Sequence, residues 1–168
     1  MPSDIRKING GLEQLSAEGH IPDDGWFLEA GFGDLRVALL MAGVYGINTL
    51  AVEEDQKLFY TGEKNLASVG GKEFLGTAKL ILVRGDFRDD RTYDRAGIPF
   101  REIRTAMNFY SGHIGLTKKI VDESPIGTTF IFQGPYSHFP GLTFQTSVQI
   151  DDPSKTIESR LHAYRKLT

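Results

Sequence analysis

The chain has 168 residues, 40% hydrophobic and 24% charged, an ordinary globular composition that suits one domain spanning 1–168 with a sizeable core. It contains no cysteine, which excludes disulfides, zinc–thiolate centres and thiol nucleophiles. The net charge of −3 argues against a nucleic-acid partner. No apolar stretch reaches the ~20 residues of a membrane span, and the opening Met-Pro-Ser-Asp lacks the parts of a signal peptide, so a cytoplasmic protein away from membranes is expected.

In chain order, apolar residues at Ile5, Ile8, Leu12, Leu15 and Ala17 predict a helix over 5–19, with Ser3 and Asp4 as candidate caps. Gly10-Gly11 weakens that pattern. The helix is expected to close one side of a sheet, or to offer its C-terminal loop as a lid. Pro22-Asp23-Asp24-Gly25 then punctuates the chain before an apolar run from Trp26.

That run, Trp26-Phe27-Leu28-Glu29-Ala30, breaks into Gly31-Phe32-Gly33 and restarts as the helical pattern Val37-Ala38-Leu39-Leu40-Met41-Ala42. Strand, tight turn and helix are predicted, with glycines that let the backbone turn sharply and meet a ligand closely. About twenty residues on, Thr49-Leu50-Ala51-Val52 predicts a second strand ending in Glu53. A carboxylate there suits both hydroxyls of a ribose, so the pair of motifs points to a nucleoside-bearing cofactor. As a surface group at a strand end, Glu53 is expected to support little packing.

A helix is predicted over 56–69, ended by Gly70-Gly71, and a third strand over 79–84. Residues 88–101 alternate in charge, the pattern of a solvated segment with mutual ion pairs. A fourth strand is expected over 103–109, a helix over 112–122 and a fifth strand over 128–132. Residues 134–141 form a long irregular loop. Residues 144–150 are expected to add one antiparallel strand, and Ile157, Leu161, Tyr164 and Leu167 predict a C-terminal amphipathic helix. Strands alternating with helices predict an α/β fold: a mostly parallel sheet with helices on both faces.

The order Glu29-Ala-Gly31-Phe-Gly33, Val52-Glu53, Arg84-Gly85-Asp86-Phe87 resembles class I S-adenosylmethionine-dependent methyltransferases, which implies a single-domain Rossmann-like methyltransferase fold. With Asn108-Phe109 it looks most like the disruptor-of-telomeric-silencing group of lysine methyltransferases. Gly127, in the turn before the fifth strand, also fits the class. The resemblance covers roughly residues 26–133 and implies S-adenosylmethionine as cofactor. Gly31 and Gly33 would border its amino-acid part, Glu29 would face its ammonium and Glu53 would hold its ribose. Asp86 would accept from the adenine amine and Phe87 would cover the ring.

The resemblance further implies that Asn108 lies near the transferred methyl. Phe109, Tyr110 and the loop from Tyr136 to Phe139 would enclose a protein lysine or a small-molecule acceptor. Leu35 departs from the class by standing at its third glycine position, where a larger side chain is expected to alter how helix and turn pack.

Other readings of the same residues stay open. Glu29 and Asp34 also suit helix capping, and Asp86 and Asn108 suit turns. His113 and His138 follow strands and are candidate bases, but they lack acids at metal-ligand spacing, so no metal is expected. A nicotinamide-dependent oxidoreductase would use the same glycines and Glu53, although its third glycine would fall at Arg36. A non-catalytic cofactor-binding protein is the third reading, favoured if Leu35 closes the pocket. Base methylation is disfavoured because Asn108-Phe109-Tyr110-Ser111 stands where an Asp/Asn-Pro-Pro-Tyr/Phe motif would be.

Overall fold

A computed structural model describes residues 4–109, 111–150 and 160–168. The first helix, α1 (Ile5–Ala17), is capped by the Asp4 carboxylate on the Arg6 N–H. Then follow β1 (Trp26–Ala30), α2 (Arg36–Gly43), β2 (Thr49–Glu53), α3 (Gln56–Ser68), the one-turn α4 (Lys72–Leu75) and β3 (Leu80–Arg84). The second half contains α5 (Asp90–Ala96), a 3-10 turn at Phe100–Glu102, β4 (Ile103–Asn108), α6 (His113–Glu123), β5 (Thr129–Gln133), β6 (Thr143–Gln149) and β7 (Arg160–Arg165).

The strands form one sheet in the order β3-β2-β1-β4-β5-β7-β6. The first five are mutually parallel, and β7 runs against both β5 and β6. An α/β domain with an antiparallel strand near the C-terminus therefore stands: the expected strand is β6, and it pairs antiparallel with β7, the one strand that runs against the rest of the sheet.

The predicted C-terminal helix is corrected on the same ground; Ile157 lies outside the described residues. Leu161, His162, Ala163 and Tyr164 are all buried, Leu161 and Ala163 on one face of the sheet and Tyr164 on the other. A strand buried on both faces shows no two-residue alternation, so its apolar residues imitated helical spacing.

Layering follows from strand parity. Phe27, Met107, Ile131 and Ala163 meet α1 and α2 on one face, while Ala51 meets the Phe32–Leu39 region. Leu28, Val52, Ala106, Phe130 and Tyr164 meet α5, α6 and the β5–β6 loop on the other. Gly10-Gly11 does not break α1, because Gly11 has a packing reason: a Cβ there would lie 2.6 Å from Ile150 and 2.9 Å from Leu161. The helix thus closes one face, as expected. Its following loop is no lid over the glycine turn: Gly25 enters the N-terminal end of β1, whereas Gly31 leaves the C-terminal end.

Candidate cofactor and acceptor site

The site grows from the C-terminal ends of β3, β2, β1 and β4, which are neighbours in the sheet although far apart in sequence. Gly31, Gly33 and Leu35 all have left-handed backbones, with φ of 79°, 56° and 73°. The first two are glycines because L side chains disfavour that region. At Gly33 a Cβ would meet nothing within 4 Å, so its backbone faces open space that a ligand can enter.

Leu35 adopts the glycine-like conformation without being glycine, at a cost of about 1–2 kcal/mol. Its side chain is fully buried with Phe32, Ala38 and Leu39. Helix α3 makes room for it with Gly62, where a Cβ would lie 2.5 Å from the Phe32 ring and 3.3 Å from the Leu35 Cβ. The larger side chain at the class's third glycine is thus absorbed away from the turn.

Two glutamates organise the turn. Glu29, 2% exposed, accepts a 2.7 Å hydrogen bond from the Ala38 N–H at the start of α2. Burial pushes its pKa well up, the Ala38 N–H partly opposes this, and the negative charges of Asp34 and Glu53 add to the rise. Glu53 uses both oxygens: one accepts from the Gly33 N–H at 3.0 Å, the other from the Asp55 N–H at 2.9 Å. The ribose-type acid and the glycine turn, twenty residues apart, are thus one hydrogen-bonded unit. Glu53 is also 8% exposed, which corrects its expected role as a surface group that supports little. Asp34 caps locally, by its carboxylate on the Arg36 N–H.

The loop after β3 carries Asp86 and Phe87. Asp86 accepts from the backbone and guanidinium of Arg88, and that pairing, against partial burial, holds its carboxyl below the usual carboxylate range. Phe87 leans toward the turn: its ring lies 4.0 Å from where a Gly31 Cβ would be and 2.8 Å from a Gly112 Cβ. Beside this loop opens a cavity of about 760 Å³, bordered by Glu54, Arg84, Gly85, Asp86, Thr92 and Arg95. Within residues 88–101 the expected mutual pairing is seen at Asp89–Arg91, while Arg88 pairs outside the segment with Asp86; the segment is not merely solvated, since Thr92 and Tyr93 are buried.

The end of β4 is more committed to structure than the sequence implied. Asn108, 1% exposed, donates to the carbonyls of Ala30 (2.8 Å) and Ser111 (2.9 Å), and its side-chain oxygen accepts from the Ser111 N–H. Tyr110 lies outside the described residues. Tyr136 is 63% exposed, with its ring against Phe144 (5.3 Å) and His162 (6.0 Å), toward β6 and β7. The expected aromatic enclosure is corrected. Phe109 packs on the α1 face and Phe139 is core on the α5–α6 face, so the sheet separates them. The loops after β4 and β5 meet instead where His113 packs on Phe132 (4.9 Å) and Phe139 (5.9 Å).

His162 lies in β7, where the apolar spacing predicts a helix and gives it no place in a site. It is buried, contacts the Gly134 carbonyl at 3.0 Å through Nε2, and has its pKa lowered by burial. Among the described residues no group of three or more His, Asp or Glu is arranged to hold a metal, and no helix is long and apolar enough to cross a membrane.

No protein-family model matches the sequence, and a search of curated proteins finds no match. Solved structures do match. One is an RNA methyltransferase from Salinibacter ruber with S-adenosyl-L-homocysteine, at TM-score 0.71 and 15% identity over 99% of this chain and 94% of that one. An rRNA methylase from Streptococcus thermophilus matches at TM-score 0.64 and 14% identity, over 100% and 99% of the two chains. A variant of MtNAS in complex with S-adenosylmethionine gives TM-score 0.66 and 16% identity over 97% of this chain; this chain spans 62% of it. The chain therefore has the Rossmann-like fold of S-adenosylmethionine-dependent methyltransferases.

Proposed function

We propose that this protein is an S-adenosylmethionine-dependent methyltransferase. The observation that carries the reading is the bond from the Gly33 N–H to the Glu53 carboxylate, which ties the glycine turn and the ribose-type acid at adjacent strand ends. Fold neighbours solved with S-adenosylmethionine or S-adenosylhomocysteine support it. In this reading Gly31 and Gly33 border the amino-acid tail, Glu29 faces its ammonium, Glu53 holds the ribose, and Asp86 and Phe87 take the adenine. Methyl transfer from a sulfonium needs little acid chemistry; alignment of nucleophile and methyl dominates. The sulfur–methyl bond breaks as the bond to the acceptor forms.

Asn108 and Tyr110 form the acceptor side of this proposal, and Tyr136, exposed and turned toward β6 and β7, its outer rim. Asn108 acts by fixing the loop after β4, and the acceptor is an amine of a protein lysine or a small molecule. The lysine reading rests on Gly85-Asp86-Phe87 and Asn108-Phe109 alone. A second reading, an RNA acceptor, is favoured by two neighbours of nearly the same length that are named as RNA or rRNA methylating enzymes. Incubation with methyl-labelled S-adenosylmethionine and fractionated cell extract tests these. Label in protein or small molecules supports the amine reading, label in RNA the second, and label nowhere, despite cofactor binding, a non-catalytic protein. A thermal-shift panel of S-adenosylhomocysteine, NAD and NADP separates the oxidoreductase reading, because only a bound ligand raises the melting point.

A further inference from the structure

Three side chains from little more than one turn of α5 reach three backbone carbonyls at the end of β3 and in the loop after it. The Thr92 hydroxyl donates to the Asp86 carbonyl at 2.7 Å. The Tyr93 hydroxyl donates to the Phe87 carbonyl at 2.5 Å. The Arg95 guanidinium donates to the Arg84 carbonyl at 2.9 Å. Gly85 lets this happen: a Cβ there would lie 2.5 Å from the Arg95 guanidinium and 2.6 Å from the Thr92 hydroxyl. The glycine before Asp86-Phe87 therefore serves the helix that grips the loop.

The grip is itself anchored. Tyr93 is 3% exposed and stands edge-on to Phe100 at 4.8 Å. Burial pushes its phenol well up, so the hydroxyl remains a donor across the working pH range. The Lys119 ammonium of α6 lies over both rings, 5.2 Å from Tyr93 and 4.9 Å from Phe100, and pairs with Asp90 and Glu123. Helix α6 begins beside Gly112, against which Phe87 packs. Asp86 and Phe87 are thus held by α5 through their carbonyls and by the start of α6 through the ring.

We infer that Thr92 and Tyr93 are positioning residues for recognition of the nucleoside's base: they fix Asp86 and Phe87 where an adenine, rather than a base lacking the exocyclic amine, is preferred. This rests on the cofactor reading above. A carboxylate discriminates for an amine donor only if it is held within hydrogen-bond tolerance of where the donor arrives. Three carbonyl anchors over residues 84–87 fix the backbone that carries Asp86, and Arg88 orients its carboxylate. A merely structural brace would stabilise the fold without affecting which base is chosen.

The test is calorimetric titration of the full chain with S-adenosylhomocysteine and with its hypoxanthine analogue, which lacks the amine. Wild type should prefer the adenine ligand. Tyr93→Phe and Thr92→Val should each reduce that preference by about tenfold, mainly by weakening the adenine ligand. Thr92→Ser, which keeps the hydroxyl, should retain it, and Thr92→Val carries the test if Tyr93→Phe fails to fold. A preference unchanged in Thr92→Val, or both ligands weakened equally, would overturn the inference while leaving the cofactor reading intact. Wild type binding neither ligand would overturn both.

Discussion

The two halves of the sheet's C-terminal edge are built differently. On the β3-β2-β1 side, polar side chains are spent on backbone groups: Glu29 on Ala38, Glu53 on Gly33 and Asp55, Thr92 and Tyr93 on the loop after β3. On the β5-β7-β6 side, rings pack on rings. Phe139 alone lies within 6 Å of Phe130, Phe132, Tyr164 and His113. In the proposed reading the first half holds a fixed backbone surface for the cofactor, while the second packs the domain together. Substitutions should therefore separate binding from stability according to the half they fall in.

The largest effect should come from the aromatic half. Phe139→Ala should cost about 3–5 kcal/mol of stability through the cavity it leaves, with S-adenosylhomocysteine affinity nearly unchanged in chains that stay folded. Urea denaturation and calorimetry on the same variant check both parts. If affinity fell in step with stability, the division between the halves would be lost.

Next is Leu35→Gly, at the turn itself. It relieves left-handed strain of about 1–2 kcal/mol, but it removes a fully buried side chain worth about 3–5 kcal/mol. Packing wins, and a net loss of about 1–4 kcal/mol is expected in urea. A more stable variant would mean that the Gly62 hollow does not hold the leucine as described.

Glu53→Ala should strand two N–H groups and so cost about 1–2 kcal/mol in stability, while also weakening S-adenosylhomocysteine. Loss of affinity with untouched stability would show that the bonds to Gly33 and Asp55 contribute nothing.

The gentlest effect is a drift with pH. Because burial raises the Glu29 pKa, the folded chain holds that proton more tightly than the unfolded chain. Its stabilising contribution is full below the ordinary value of 4.5 and is lost as pH rises through the higher folded value. Melting temperature should fall across that window in wild type and fall less in Glu29→Gln. Affinity for a ligand with an ammonium should rise across the same window, since the cation favours ionised Glu29. Asp86 works in the opposite sense at lower pH: with its pKa held below 3.8, it stabilises above that value and loses the contribution as pH falls through its folded one.

This division also sets what was legible in the sequence. Glycines at positive φ and acids at strand ends announce themselves by residue type, so β1, β2, β3 and their turns could be read directly. Strand β7 could not: burial on both faces erases alternation, and without it His162 and the Tyr136 contacts had no place. Phe109 and Phe139 were legible as aromatic but not as lying on opposite faces, which depends on sheet parity. The roles of Thr92, Tyr93 and Arg95 were hidden in a run whose alternating charges read as solvent-facing. What they bind are backbone carbonyls, which leave no trace in residue types.

Calorimetric titration of the wild-type chain with S-adenosylhomocysteine and, separately, with NAD separates the methyltransferase reading from the oxidoreductase one. Saturable binding of S-adenosylhomocysteine at one site per chain, weakened by Glu53→Ala, is expected, with no heat of binding for NAD. Binding of NAD without S-adenosylhomocysteine would contradict the methyltransferase reading.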